Sequence, residues 1–437
     1  MQLLKYGSII FFFFTFLSFS KAQDEELEFT DKVYVDYIHT VQLISLNSHK
    51  EPIIKLNSGQ SFLFSFDDFS DETRSYVYTI QHCNADWTPS DLSELNYIDG
   101  LTEGDIEEYD FSLNTLTPYT RHSLLLPNEE VRWTLSGNYI LKVYDIEDER
   151  KLVITRRFMV YEETQVFVEL DFISSTENFN THQEVNFELS YNNLRVDNPE
   201  REVTVVLRQN QRWDNAIYAN RPRMEGKQVL KYNTRGKFSF GGGKEFRYLD
   251  LRSVEQRRHN VSQIIEGTDT YDVTLYSDEM RSNKSFLRQP DMNGKFIIAN
   301  SDQSNRDANI RSDYADVLFS LNVNQEIEDY DVYLSGEFSN WQPDPRYKMI
   351  YNDVIHAYVA KPKLKQGVYD YMYTVVPKEG GTKMDLTELE GHWYETENDY
   401  TILSYYHPFG ARYHRLVGYH VYNTVDQNRI NNRAGNR

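Results

Sequence analysis

Short runs in which aromatic or β-branched residues alternate with polar ones recur along this chain, each ended by Gly, Asn, Asp or Pro. No stretch holds a helical period for longer than about three turns. The pattern argues against helix bundles and against the strand–helix–strand units of parallel-sheet enzymes. It predicts an all-β protein made of tandem β-sandwich domains. The clearest runs are Val33–Leu46, Phe62–Phe66, Tyr76–Gln81, Tyr139–Ile146 and Leu152–Val160, followed by Val166–Phe172, Glu184–Tyr191, Glu202–Gln209, Val229–Asn233, Tyr271–Tyr276 and Lys295–Ile298. Aromatic residues carry much of the apolar content, with 33 Tyr, 25 Phe and 5 Trp. A tyrosine-rich alternating strand suits a sheet with one face on the core and one in water.

The chain opens with Lys5, an uncharged apolar run from Ile9 to Phe19, and the small-residue site Ser20-Lys21-Ala22. This predicts a secretory leader over residues 1–22, a mature N-terminus at Gln23, and a periplasmic, soluble protein. The run is too short to span a bilayer, and no Cys follows it to accept a lipid. Removing Lys5 and Lys21 takes the formal charge from −21 to −23. Such a chain repels nucleic acid and anionic lipid, so neither is expected as a partner and no direct membrane insertion is expected. One cysteine cannot form an internal disulfide.

The remaining length divides into a first domain over 23–161, a second over 162–299, a polar linker over 300–313, a third domain over 314–423 and a frayed polar tail over 424–437. From Asp24 to Val160 there are 26 acidic against 11 basic residues. Five of the acidic ones, Glu103, Asp105, Glu107, Glu108 and Asp110, fall within one short run. They form a solvated face or, on a sharper reading, a docking surface for a basic rim. Trp87 and Trp341 are the other candidate partner contacts, as large anchors in turns.

No motif declares catalysis, a cofactor or a metal. His82, Cys83 and Asp86 supply the residue types of a nucleophile, base and orienting carboxylate, but adjacent residues on a strand point to opposite faces. Asp67, Asp68, Asp71 and Glu72 lack the glycine and spacing of a calcium loop and read as a hydrated acidic turn. The segment from Arg235 to Lys244 has a run of glycines but no Ser or Thr after its lysine, so it reads as a flexible hairpin rather than a phosphate loop. Arg252, Arg257, Arg258 and His259 form one basic spot. His407, His414 and His420 have poor ligand spacing.

Several segments carry a resemblance. Tyr37-Ile38-His39-Thr40-Val41-Gln42-Leu43, the stretch from Pro52 to Gln60 and above all the stretch from Tyr76 to Gly100 resemble the first domain of the type IX secretion system plug protein. Ser136-Gly137-Asn138-Tyr139, Thr155–Val160, Asp313–Val317, Tyr406-His407-Pro408-Phe409-Gly410 and Arg412–Tyr419 extend the likeness over nearly all of the mature chain. The resemblance implies a non-enzymatic periplasmic plug. Its partners would be the outer-membrane translocon β-barrel and the accessory subunits of that machine. Ser335-Gly336-Glu337-Phe338-Ser339-Asn340-Trp341 and the strand from Gly367 to Val375 resemble the immunoglobulin-like, early-set β-sandwich of family 48 carbohydrate-binding modules. In that family a Trp at the position of Trp341 stacks on glucose. The sugar-holding lysine is replaced here by Met372, and Pro377-Lys378-Glu379 stands where the second Trp would be. An accessory carbohydrate-binding role is therefore the alternative reading, and a hydrolase built around His82 or Cys83 a more distant one.

Overall fold

Strand pairing gathers the chain around three apolar cores, and the grouping is not sequential. The computed structural model describes residues 27–425 apart from 47–50, 71, 164–165, 175–176, 220–221, 226–227, 304–306, 380 and 382. The expected leader, its cleavage site and most of the expected tail lie outside the described residues. Nearly all regular structure is β, as the alternation predicts.

The first core lies between two sheets. One has the order Ile38–Ser45, Phe62–Asp68, Thr120–Leu126, Glu108–Phe111. The other has the order Lys32–Val33, Lys151–Tyr161, Gly137–Asp145, Tyr76–Cys83, Glu103–Asp105, with Ile53–Lys55 added in parallel beside Lys151–Tyr161. The period of two decides what each strand buries: Phe62, Phe64 and Phe66 from one sheet meet Tyr76, Tyr78, Ile80, Tyr139, Leu141 and Val143 from the other. Val33–Leu46, read as one strand, is broken into two by the turn after Val33, and the halves join different sheets. Gly137 shows how tightly the entry to one long strand is packed. Its φ is +141°, and a Cβ there would lie 2.4 Å from His82 Nε2, so no larger residue fits.

The second core is closed by strands from far along the chain. Phe167–Ser174, His182–Ser190, Val229–Tyr232, Arg223–Glu225 and Ser239–Gly241 form one sheet. The other has the order Ile217–Ala219, Val203–Gln209, Asp399–Tyr406, Arg415–Asn423. Val203 pairs with Tyr406 and Gln209 with Tyr400. The C-terminal strands, which fall within the 314–423 bounds expected for the third domain, instead complete the second core, where Tyr400 and Ile402 pack with Val205, Leu207 and Phe240. The reverse exchange also occurs. Tyr271–Leu275 and Phe296–Ile298, read with the second domain, join the sheet of the third core, the former parallel to Tyr314–Asn322 and the latter against Gly367–Pro377. Alternation tells a strand which side chains to bury but not which neighbour will take its hydrogen bonds.

Two segments expected to be loose are packed. Within 300–313, Asn300, Ser312 and Asp313 are buried. The Asp313 carboxylate accepts from the N–H groups of Leu116 and Thr117 at 2.6 and 3.2 Å. The glycine-rich segment is likewise held: Lys244 is 6% exposed and donates to the carbonyls of Arg281 and Lys284, and Gly242 N–H donates to Thr181 O at 2.8 Å.

Candidate functional site

Two of the acidic run's strands bring it to one margin of the first sandwich. Glu103–Asp105 pairs with Tyr76–Cys83 at the edge of one sheet, and Glu108–Phe111 pairs with Thr120–Leu126 at the edge of the other. Ile106, buried at 5%, pins the crossing between them. Asp105, Glu107, Glu108 and Asp110 are exposed, while Glu103 is half-exposed and salt-bridged to Arg150. That hydrogen-bonded guanidinium holds the Glu103 carboxyl below its usual range. Tyr109 and Phe111 alternate with the acids and stay 48% and 62% exposed.

The two tryptophans are placed otherwise. Trp87 is only 3% exposed. Its ring meets Trp213 edge-on at 4.9 Å, and the Arg157 guanidinium lies 4.5 Å above it. This candidate contact for an outside partner is instead a buried anchor between the first and second cores, packed against Trp213 and Arg157. Trp341 is half-buried, with Arg212 over its ring at 4.9 Å and Phe246 against it at 5.8 Å. Asn340 and Trp341 are both left-handed, with φ of 54° and 53°. A Cβ on Gly294 would lie 2.5 Å from the Trp341 ring. Met372, at the position of the missing lysine, is buried in the same small cluster. The ring is half-buried, with Arg212 and Phe246 against it.

His82 and Cys83 part company as the strand geometry requires. The His82 ring bonds Ser90 Oγ and Ser136 O at 2.9 and 3.1 Å, and burial pulls it down to about 4. Cys83 is buried in the cluster shared by the first two cores, and burial pushes its thiol up to about 12. Asp86 accepts from Thr88 and does not reach His82. The His407 and His414 rings meet at 4.5 Å, and His414 Nδ1 accepts from Ala85 N–H. Among the described residues no group of three His, Cys, Asp or Glu could hold a metal ion.

Sequence reading missed the residues that join the cores. Asp67 and Asp68, expected in a hydrated turn, are 0% and 1% exposed; Asp71 lies outside the described residues. Asp67 accepts from Arg121 at 3.1 Å, from Tyr314 Oη at 2.6 Å and from Lys365 Nζ at 2.5 Å, tying the first core to the third. Lys365 is wholly buried and lies 4.1 Å above the Tyr119 ring. Burial draws its ammonium down to about 8 against the pull of Asp67. The first and second cores meet through a shared apolar cluster that includes Ile140, Met159, Leu403 and Tyr405, and through the buried Glu51–Arg208 ion pair. The visible signal was a charge within an apolar strand, as in Phe62-Leu63-Phe64-Ser65-Phe66-Asp67-Asp68, since a buried charge requires a partner.

These junctions enclose a cleft of about 1540 Å³. The first core lends it Val41, Leu43 and Arg156, the second Arg208 and Trp213, the third Phe296, Ile298 and Trp341.

The match to known proteins is strong in one place and broad in another. Residues 38–162 match the family described as Type 9 secretion system plug protein 1st domain, which spans the first sandwich. A hypothetical protein from Parabacteroides merdae, known by its crystal structure, is 31% identical. The alignment covers 91% of this chain and 100% of that one with a TM-score of 0.86. No curated protein matches. With its first sandwich matched by that family and a relative aligned along its whole length, the chain belongs to the type 9 secretion system plug protein family.

Proposed function

We propose that the protein seals the periplasmic opening of the type IX outer-membrane translocon while no substrate is passing. The observation that carries this reading is the family match over residues 38–162. The sandwich so matched bears the acidic margin of Asp105, Glu107, Glu108 and Asp110, a face suited to a basic rim. Three cores locked by the buried Asp67–Lys365 pair and the Trp87–Trp213 contact suit a stopper, which must hold its shape against a fixed opening. The role is one of binding and release, with no bond made or broken. Release follows when the cargo-loaded channel binds the stopper less well than the empty one does.

Dye entry in four strains tests it: wild type, deletion of this protein, deletion of the translocon, and both together. Large dyes excluded by the outer membrane are expected to enter only when this protein is missing and the translocon is present. Leakage that persists after the translocon is also removed would end the gating interpretation.

A further inference from the structure

The cleft between the cores has two features that point to a ligand, and neither belongs to the acidic margin. The first is a pair of sheet edges to which no further strand is added among the described residues. Among the described residues Ile38–Ser45 is an edge strand of its sheet, and Phe296–Ile298 pairs with Gly367–Pro377 alone. Ladder alternation turns the N–H and C=O of Leu43 away from Phe62–Asp68, since Leu46 N–H is the group that bonds Ser61 O. The same argument turns the backbone of Phe296 and Ile298 outward, because Asp370 N–H bonds Lys295 O and Ala299 N–H bonds Gln366 O. Phe296 N–H, directed outward, is met by the Glu337 carboxylate at 3.2 Å. Leu43 and Ile298 both line the cleft.

The second feature is a buried guanidinium that forms no ion pair among the described residues, with Asp31 and Glu337 on the cleft wall attracting it only from a distance. Arg156 is 5% exposed, and among the described residues its hydrogen bonds go to the carbonyls of Thr155 at 3.1 Å and Val41 at 3.5 Å. It stands where the main cleft adjoins a side cavity of about 40 Å³, which Arg346, Lys363 and Lys365 also line and no Asp or Glu does. Those three cations have carboxylates of their own, in Asp344, Asp316 and Asp67. Arg156 forms no such pair among the described residues. The cavity has room for a carboxylate or a few waters. On the wall of the main cleft, Thr30 Oγ1 and Asn293 Oδ1 are buried and find no partner among the described residues.

We propose that the cleft binds an extended polypeptide segment that bears a carboxylate, with its backbone laddered onto the free edge at Leu43 or Ile298 and its carboxylate received by Arg156. Main-chain hydrogen bonds to a sheet edge supply affinity without demanding a sequence, and the buried cation supplies the selection. The identity of the partner rests on the plug reading: the segment belongs to the periplasm-facing side of the translocon barrel.

The test uses the mature full-length protein, the purified barrel, and short labelled peptides tiling the barrel's periplasm-facing segments. At least one peptide is expected to bind saturably. Its affinity is expected to fall about 10- to 100-fold when its carboxylates are converted to amides, and by a similar factor in Arg156→Gln. Methylating alternate backbone nitrogens of the peptide is expected to abolish binding in one phase and spare it in the other. These peptide-side changes decide the matter even where Arg156→Gln fails to fold. Peptide binding indifferent to carboxylate and backbone methylation would overturn the proposal, as would saturable binding of linear glucan in place of any peptide. A barrel that binds wild type and Arg156→Gln equally, with no peptide binding, removes the cleft proposal and leaves the plug reading standing. A barrel that binds neither removes both.

Discussion

Asp67 follows three phenylalanines in a strand, and all three, like the aspartate itself, are fully buried. Its carboxylate takes three side-chain donors, two from the third core and one from a neighbouring strand. In water each of these groups would be separately solvated, so the cluster is favourable only when complete. Removing one charge leaves its partner buried and unpaired. Asp67→Asn is therefore expected to destabilise the protein by about 3–5 kcal/mol, read from the urea midpoint at constant slope. Adding Lys365→Met is expected to recover a large part of that loss, because the stranded ammonium goes with it. A double variant no more stable than Asp67→Asn alone would show that the cluster does not work as a pair.

The strands at the margin of the first sandwich have a different character, since what they present is left unsatisfied on purpose or merely solvated. Glu108–Phe111 has all four side chains exposed, and Glu103–Asp105 keeps one carboxylate engaged with Arg150. Charge reversal at Asp105, Glu107, Glu108 and Asp110 removes no buried contact, so the fold is expected to survive with a stability change within about 0.5 kcal/mol. Binding to the isolated barrel is expected to weaken, with the difference from wild type shrinking as salt is raised toward about 1 M. Unchanged binding at low salt would mean that these strands carry a solvated face and no docking surface. Glu103→Gln acts separately through its bond to Arg150, and as an exposed pair it is expected to matter little.

Across the whole molecule, burial places titrating groups on both sides of neutrality. Burial pulls His39, His82, His122, His392 and His414 down to about 4. Between that value and the ordinary histidine range the unfolded chain binds protons that the folded chain refuses, so stability falls as pH drops through this window. Each such histidine contributes a slope of up to about 1.4 kcal/mol per pH unit. Glu245 and Asp370, raised by burial to about 8 and 7, act in the opposite sense, since the folded state holds their protons more firmly. His182 and His420 are lowered by burial as well, and Asp291 and Glu337 are raised, so seven histidines against four carboxylates leave a net loss on acidification. The urea midpoint is expected to fall steadily from pH 6.5 to pH 4.5; a midpoint that is flat or rises there would contradict it.

Local pattern determined a good deal of this protein. The strands around Phe62–Asp68, Tyr76–Cys83, Gly137–Asp145 and Lys151–Tyr161 were legible because alternation, turn residues and β-branched or aromatic content are properties of a few consecutive positions. The same holds for the separation of His82 from Cys83, which follows from strand geometry alone. The acidic margin was legible as a run of charge, though not that two edge strands would carry it. Tertiary structure decided everything that depends on a partner distant in sequence: that Asp399–Tyr406 would close the second core, that Trp87 would pack against Trp213, that Asp67 would meet Lys365, and that Arg156 would line a cleft while forming no ion pair among the described residues. A side chain's apolar character is its own and shows in any window of sequence. The satisfaction of a sheet edge or a buried charge belongs to a pair, and the second member is chosen only when the chain closes on itself.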